Sequence, residues 1–323
     1  HQHGVTTIYI SHRLHEFERI ADTCTVMRDG AVVERFSLRD TGADTPRRAI
    51  RAMLGRDLNE MYPKVPAPTG APLLSLKNWS LGHQHPGRPD VVRDVTLSVQ
   101  AGEVLGIYGL LGSGAFALAR SIFGVCAGRS TGMMEVGGEP VRVTDPRDAM
   151  KHGIAYVPAE RKRDSLMLTQ SVANNASLAA LARLNWLGVV DRNAELREIQ
   201  RYIKSLQVKC ASIEQPISEL SGGNQQKVVA AKWLLTEPRV FVLEEPTRGV
   251  DVNARIDFYE LINKLTAAGQ AVILVSTDLP EVLGMADRVL VMCEGRIVKE
   301  FDRGLATDEE VMLHATGKNK ESA

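Results

Sequence analysis

Apolar and polar residues alternate along the chain in short blocks that predict strands separated by helices. Continuous apolar runs at residues 104–108 and 240–243 are typical of buried parallel strands. The segment 73–104 instead alternates on both sides of a turn around residues 83–89, which predicts an antiparallel edge sheet. Together these patterns indicate an α/β fold.

The pattern of residues 4–36 recurs at residues 269–301, and twelve of the 33 aligned positions are identical. Each copy predicts a strand, a polar turn, a helix, an Ala-Asp pair and two further strands joined at a glycine. A repeat of this length indicates two related domains. Because little chain precedes the first copy, we expect residues 1–62 to be the C-terminal remnant of a first domain, and the chain to be a fragment of a longer protein.

The segment 63–72 is rich in proline and small residues and is interpreted as the linker between the two domains. A long surface loop within one domain is the alternative, and it fits the repeat less well. Residues 73–323 then form a complete second domain.

The composition narrows the class of protein. Apolar residues make up 44% of the 323 residues and charged residues 24%, as in ordinary globular proteins. Lys and Arg total 39, equal to Asp and Glu, so no basic excess points to a nucleic-acid partner. No stretch approaches 18 apolar residues, so membrane contact is expected only through a partner. The four cysteines are scattered and are interpreted as reduced thiols.

Ser221, Gly222 and Gly223 precede a run of good helix formers. Ser221 is a natural N-cap, and the glycines leave the N–H groups at the helix start uncovered. A helix N-terminus with bare N–H groups suits an anion such as phosphate. Such a Ser-Gly-Gly segment also occurs at ordinary strand-to-helix turns, so by itself it does not identify a function.

A second segment, Glu-Glu-Pro-Thr-Arg-Gly-Val-Asp at residues 244–251, begins 23 residues after Ser221. The order and spacing of the two segments resemble the signature motif and the Walker B strand of ATP-binding cassette (ABC) ATPases. The form Ser-Gly-Gly-Asn-Gln-Gln-Lys with Pro-Thr-Arg-Gly-Val-Asp is similar to the two-cassette subfamily that energises import of ribose, galactose, xylose and similar monosaccharides.

The resemblance implies a P-loop NTPase fold with a mainly parallel core sheet, an antiparallel β subdomain and a helical subdomain near residues 160–201. It implies ATP and Mg²⁺ as cofactors. In the signature motif it implies that the following residues bind ATP: Ser221, Gly222, Gly223, Asn224 and Gln225.

The phosphate loop of the family falls between the strand at 104–108 and a helix predicted over residues 115–123. The residues of this ATP-binding position are Gly109, Gly112, Ser113, Gly114, Ala115 and Phe116. The functional pattern is G-x-x-x-x-G-K-[ST], so Ala115 replaces the lysine and Phe116 replaces the hydroxyl that holds Mg²⁺. Backbone N–H groups remain available to cradle a phosphate.

The Walker B segment also departs from the family. Glu244 stands where an aspartate normally holds Mg²⁺ and is a weak candidate, because Mg²⁺ tolerates little deviation from octahedral geometry. Glu245 occupies the position of the general base. The switch histidine of the family falls at Thr277, whereas His12 holds that position in the remnant of the first domain.

These losses lie on one half-site, while the signature motif is intact. In the family, each ATP lies between the phosphate loop of one cassette and the signature of the other. The resemblance therefore implies that the site of this domain's own loop, with Glu245, is inactive. The other site would combine the first cassette's loop with His12 and with Ser221–Gln225 of this domain.

We expect an energy-coupling subunit of a bacterial monosaccharide importer, peripheral on the cytoplasmic face of the membrane, with this chain alone inactive. The implied partners are transmembrane permease subunits, a periplasmic or extracellular solute-binding protein and the first cassette of the same polypeptide. Three alternatives stay open: an ATPase of nucleoside import, an inert fragment with a regulatory or dimerising role, and a soluble cassette protein such as a translation factor.

Overall fold

The structure, a computed structural model, describes residues 6–10, 20–28, 30–38, 48, 52, 61–85, 87–126, 128–186 and 189–317. The strands are β1 (Thr23–Arg28), β2 (Ala31–Ser37), β3 (Pro72–Leu81), β4 (Val92–Gln100), β5 (Val104–Gly109), β6 (Ser130–Val136), β7 (Glu139–Val141), β8 (Ile154–Val157), β9 (Asn185–Trp186), β10 (Val189–Val190), β11 (Val240–Glu244), β12 (Ala271–Ser276), β13 (Arg288–Cys293) and β14 (Arg296–Asp302).

The helices are α1 (Ala115–Ile122), α2 (Pro146–Lys151), α3 (Arg161–Asp164), α4 (Val172–Ser177), α5 (Arg192–Ser205), α6 (Gly222–Leu234), α7 (Val252–Ala267), α8 (Leu279–Met285) and α9 (Asp308–Ala315), with short 3₁₀ turns at Leu178–Ala180 and Ile217–Glu219. Within the described residues, none of the helices is long and apolar enough to cross a membrane.

The core sheet has the order β14-β13-β5-β12-β11-β8, and every neighbouring pair is parallel except β13 with β14. All residues of β5, β11 and β12 are buried. Strands buried on both faces read as continuous apolar runs, which is the pattern that the sequence shows at residues 104–108 and 240–243. The predicted α/β core is therefore confirmed.

A second sheet, with the order β4-β3-β6-β7, is antiparallel throughout. The pairing of β3 with β4 confirms the prediction for residues 73–104, whereas β6 and β7 were not predicted from the sequence. Trp79 on β3 is only 5% exposed and donates its indole N–H to Ser121 Oγ at 2.9 Å. This tryptophan is a core residue rather than a platform for stacking a base.

Helices α3 to α6 lie between β8 and β11 in the chain, and α6 packs against α4, α5 and α7. These helices are the helical subdomain that the resemblance implies. The core sheet, the antiparallel sheet and this subdomain confirm the expected architecture.

The hairpin β1–β2 has the same register as the hairpin β13–β14. Both interrupt their pairing at the same point, between Val26 and Met27 in the first and between Val291 and Met292 in the second. Because a bulge is a position-specific irregularity of strand pairing, its recurrence shows that the sequence repeat extends to local geometry. The division of the chain into two domains stays a prediction.

Residues 62–65, which we call the strap, are held against the second domain. The Tyr62 ring lies 5.5 Å from the Tyr259 ring, between centroids. The Lys64 ammonium, fully buried, lies 2.6 Å from the Asp287 carboxylate, and the Val65 N–H donates to Asn263 Oδ1 at 3.0 Å. The start of the proline-rich segment is therefore packed against α7 and against Asp287, which precedes β13.

Candidate functional site

The phosphate-loop segment connects β5 to α1 as the sequence predicts. Gly109 ends β5, Gly112 is exposed, and Gly114 is the N-cap of α1 with φ +95°. A Cβ at Gly114 would lie 2.7 Å from the Val91 carbonyl oxygen. Both the positive φ and this close approach require glycine at the turn from β5 into α1.

The side chains of this segment offer no cation and no hydroxyl to a ligand. Ala115, in the lysine position, is 2% exposed, and Phe116 packs against the core. Ser113 is buried, and its Oγ accepts from the Ala115 N–H at 3.4 Å. Only backbone groups of the loop remain for a phosphate.

Glu244 ends β11 and is 1% exposed, so its carboxylate needs compensation inside the protein. Arg120 on α1 supplies it with two hydrogen bonds, from Nε to Oε2 at 3.0 Å and from Nη2 to Oε1 at 2.5 Å. The Tyr156 hydroxyl, on the neighbouring strand β8, donates to Oε2 as well. Both carboxylate oxygens are thus engaged.

The titration behaviour of this cluster follows from its contacts. The hydrogen bond with Glu244 raises the pKa of Arg120. Burial, and then the charge of Glu244, raise the pKa of the Tyr156 hydroxyl. The arginine is therefore a cation and the tyrosine a neutral donor at every physiological pH.

Glu245, in the position of the general base, has φ +46°, which is uncommon for a residue other than glycine. Its Oε1 accepts from both the backbone N–H and the hydroxyl of Thr277, at 2.6 and 2.7 Å. Thr277, in the position predicted for the switch histidine, therefore engages one of the two carboxylate oxygens of Glu245. His12, in the corresponding position of the repeat, lies outside the described residues.

The loop after β11 is hydrogen-bonded to a buried carboxyl group, that of Glu281. Glu281 on α8 is 1% exposed, and its Oε1 accepts from the hydroxyls of Thr247 at 2.7 Å and Tyr259 at 3.0 Å. Burial raises the pKa of Glu281. Through Tyr259 this carboxyl group also connects to the strap residue Tyr62.

The signature motif begins α6 as the sequence predicts. Ser221 is the N-cap, is exposed, and accepts at Oγ from the Asn224 backbone N–H at 3.5 Å and from its side chain at 2.9 Å. Gln225 is buried, and its amide donates to the carbonyls of Ile217 and Leu220. Thirteen helical residues follow this open N-terminus.

Close approach of other elements explains the two glycines of the motif. A Cβ at Gly223 would lie 2.5 Å from the Ala254 Cβ on α7, and one at Gly222 would lie 2.6 Å from Arg161 Nη2. Arg161 in turn donates to the carbonyls of Arg248 and Gly249, at 2.9 and 3.1 Å. The start of the signature helix is thus packed between α7 and a guanidinium that clasps the loop after Walker B.

The body of α6 carries buried polar groups that are poorly compensated. Lys232 is 7% exposed, and its ammonium donates to the Ser165 carbonyl at 2.8 Å. Burial lowers the pKa of Lys232 to about 8. Within the described residues, the buried side-chain polar atoms without a hydrogen-bond partner are Arg161 Nε, Ser165 Oγ, Gln225 Oε1 and Trp233 Nε1.

The structure brings the candidate residues together in two groups. Gly109 to Phe116, Glu244 and Glu245 lie at the ends of β5 and β11, which are separated in the sheet by β12 alone. Ser221 to Gln225 lie on α6, in the helical subdomain. Sequence reasoning missed Arg120 and Tyr156. A usable signal was the spacing of Arg120, one helical turn after Phe116.

Comparisons with known proteins agree on one family. The model of the ABC transporter family matches residues 92–248. Relatives include a xylose import ATP-binding protein of Geobacillus kaustophilus, 43% identical over 97% of this chain and 62% of its own length. A ribose import ATP-binding protein of Rhodopirellula baltica is 45% identical, over 97% and 60% respectively. The L-arabinose transport ATP-binding protein of Geobacillus stearothermophilus is 40% identical, over 96% and 60%.

The chain therefore spans about three fifths of the length of the curated relatives it matches. Among solved structures, CbiO1 of Clostridium perfringens, part of an ABC transporter complex, gives a TM-score of 0.62 at 20% identity, over 78% of this chain and 97% of its own. An ATP-binding cassette of an ABC transporter in its ADP conformation gives 0.61 at 21% identity, over 77% and 97%. Together with the confirmed fold, these matches show that residues 92–248 carry an ATP-binding cassette domain of the ABC transporter family.

Proposed function

We propose that the chain is part of the energy-coupling subunit of an ABC importer for a monosaccharide, and that its second domain supplies the signature motif to the active ATP site. The names of the relatives, which refer to import or transport of xylose, ribose and L-arabinose, support the sugar as the solute class. An importer of nucleosides is the other outcome to be tested.

The observation that carries this proposal is the difference between the two groups of site residues. Ser221 is exposed at the start of a long helix, where its hydroxyl and the following N–H groups can meet a γ-phosphate. Glu245 is instead bonded to Thr277, and the loop beside it lacks a lysine. Charge developing on a transferred phosphoryl group is therefore stabilised at the signature and not at the domain's own loop.

In this arrangement the active site is composite. The first cassette of the same polypeptide contributes its phosphate loop and His12, and this domain contributes Ser221 to Gln225. Permease subunits and a solute-binding protein complete the transporter. The chain as printed lacks a complete site and is proposed to be inactive alone.

The test uses the full two-cassette protein with its permease and solute-binding protein in lipid vesicles, and measures sugar-stimulated ATP hydrolysis. Ser221→Ala removes a donor to the γ-phosphate at the active site, and we expect the rate to fall by one to two decades. His12→Ala should fall similarly. Glu245→Gln changes a site that already lacks its lysine, so a loss below about tenfold is expected.

Thr307→Ala is the matched control for Ser221→Ala. Thr307 caps α9 as Ser221 caps α6, but it lies outside both groups of site residues. Its rate should therefore remain that of the unmodified protein. A loss with Glu245→Gln as large as that with Ser221→Ala would contradict the proposal. Stimulation by nucleosides, with none by xylose, ribose or arabinose, would replace the sugar by the nucleoside alternative.

A further inference from the structure

The residues around Glu244 do not fit a Mg²⁺ ion. Mg²⁺ requires oxygen ligands in nearly octahedral geometry. The hydroxyl normally offered by the first turn of α1 is absent, because Phe116 occupies that position. Both oxygens of Glu244 already accept hydrogen bonds from Arg120 or Tyr156. Within the described part of the chain, no group of three or more His, Cys, Asp or Glu side chains is placed to hold a metal.

Arg120 connects the phosphate-loop helix to the end of the Walker B strand. It lies one helical turn after Phe116 and on the same face of α1. Side chains of a helix lean toward its N-terminus, so Arg120 extends back toward the turn where the metal-binding hydroxyl would stand. Its guanidinium then meets Glu244, the residue in the position of the metal-binding carboxylate.

The ion pair of Arg120 and Glu244 is a fixed part of the protein. Arg120 and Glu244 together carry no net charge, whereas a divalent cation with one carboxylate would carry a net positive charge. The Arg120 side chain remains 47% exposed while Glu244 is buried. An anion that enters the loop therefore meets the guanidinium first and the carboxylate only behind it. A guanidinium is also well suited to bind phosphate oxygens through two parallel hydrogen bonds.

We infer that the guanidinium of Arg120 takes the place of the divalent cation, so that this loop binds the phosphates of a nucleotide without Mg²⁺. The inference goes beyond the proposed function, which assigns the active ATP site to the signature motif and assigns no nucleotide to this loop. It adds that the metal requirement of this site differs from that of the composite site, and it names the residue responsible.

The 323-residue chain is itself a suitable reagent for the test. No G-x-x-x-x-G-K-[ST] segment occurs anywhere in its sequence, so nucleotide binding reports on the loop at residues 109–116. Binding of trinitrophenyl-ATP is measured by fluorescence in MgCl₂ and in EDTA. We expect dissociation constants that agree within about twofold, or tighter binding in EDTA. Binding at least tenfold weaker in EDTA overturns the inference, and so does the absence of binding in both buffers.

Two substitutions at the ion pair decide between a guanidinium site and a metal site. Arg120→Gln should weaken binding at least tenfold in EDTA. Glu244→Gln removes the repulsion between its carboxylate and the phosphates, so binding should tighten by about two- to tenfold. In a metal site, Glu244→Gln would weaken binding in MgCl₂, and that result contradicts the inference.

The fold of each variant is checked by circular dichroism. Should Arg120→Gln fail to fold, Glu244→Gln and Arg120→Lys keep the test decisive, because Lys retains the cation and should bind better than any neutral residue at this position. Failure here leaves the transport proposal standing, since that proposal depends on Ser221 and on the composite site. Failure of the transport assay likewise leaves the EDTA comparison interpretable.

Discussion

The region around the phosphate loop and the region around the signature helix differ in how well their buried polar groups are hydrogen-bonded. Around the phosphate loop, Glu244 has a bidentate arginine and a tyrosine hydroxyl, and Glu245 has two donors from Thr277. Around the signature helix, Lys232 has a backbone carbonyl as its hydrogen-bond acceptor, and the buried polar atoms without a partner in the described residues lie on α6 or on the segment 161–165 packed near it.

This difference bears on how firmly each region is held. A cluster whose donors and acceptors are satisfied resists rearrangement. The ammonium of Lys232 is held by the Ser165 carbonyl and the face of the Trp233 ring. An element with buried polar atoms that lack partners is stabilised less and can move at lower cost. We call the internally compensated region around Glu244 the closed face, and the region around the signature helix α6 the open face.

The largest expected effect tests the closed face. Arg120→Leu leaves the buried carboxylate of Glu244 without its cation, and we expect the free energy of unfolding to fall by about 3 kcal/mol. Adding Glu244→Gln to Arg120→Leu should recover at least half of this loss, because a neutral amide costs less to bury. Urea unfolding measures both. If the single variant were as stable as the unmodified chain, the ion pair would not be what compensates Glu244.

The next effect tests the open face through Lys232. The folded state lowers the pKa of Lys232 from 10.5 to about 8, so between these values the unfolded chain binds more protons than the folded chain. The free energy of unfolding should therefore rise with pH across this window. Lys232→Met should remove that rise and stabilise the protein at pH 7 by roughly 2 kcal/mol.

Lys227→Met is the control for this substitution, because Lys227 lies on the same helix but pairs with Asp257 at 2.7 Å. Its loss should be neutral or slightly destabilising. Urea unfolding between pH 7 and about 10.5 distinguishes the two, since 10.5 is the ordinary lysine value. Equal effects of the two substitutions would mean that the burial of Lys232 is not the cause.

A smaller effect on the free energy of unfolding separates the role of Ser221 as a helix cap from its proposed role in ATP hydrolysis. Ser221→Ala and Thr307→Ala each remove a helix N-cap, and each should lower the free energy of unfolding by about 1 kcal/mol. Both losses should fall within about 0.5–2 kcal/mol, the range usual for such caps. Thermal unfolding provides the measurement. A much larger loss for Ser221→Ala would attribute its effect on transport to instability of α6.

The last prediction is that Glu245→Gln does not change the rate of ATP hydrolysis of the purified chain. The purified chain should hydrolyse ATP at or near the background rate, because the lysine that helps neutralise the transferred phosphoryl group is missing. Glu245→Gln should leave that rate the same. A rate of ATP hydrolysis clearly above background that disappears in Glu245→Gln would show that the closed face is catalytically active, which contradicts this prediction.

Much of the fold could be predicted from the sequence. The continuous apolar runs identified β5 and β11, and the Ser-Gly-Gly segment identified the start of α6, because these features depend on local chemistry. The strands β6 and β7 were missed. β7 is an edge strand of three residues, and β6, although it lies inside the sheet, has three successive exposed residues that interrupt the alternating pattern.

The site was predictable only in part. Substitutions at Ala115, Phe116 and Thr277 are visible in the printed sequence. The partner of Glu244 is not, because Arg120 and Glu244 are 124 residues apart and meet through the packing of α1 on the sheet. The same holds for the carbonyls that Arg161 binds, which lie 87 and 88 residues away. Long-range pairs of this kind depend on tertiary geometry that local patterns do not encode.

The strap limits where a shortened form of this chain can begin without losing contacts. A boundary placed after the proline-rich segment would remove Lys64 from the carboxylate of Asp287, which also accepts the Val104 N–H at the start of β5. It would also uncover Gly284, against which the Tyr62 ring lies. A shortened form of the chain that keeps these contacts therefore begins no later than residue 62.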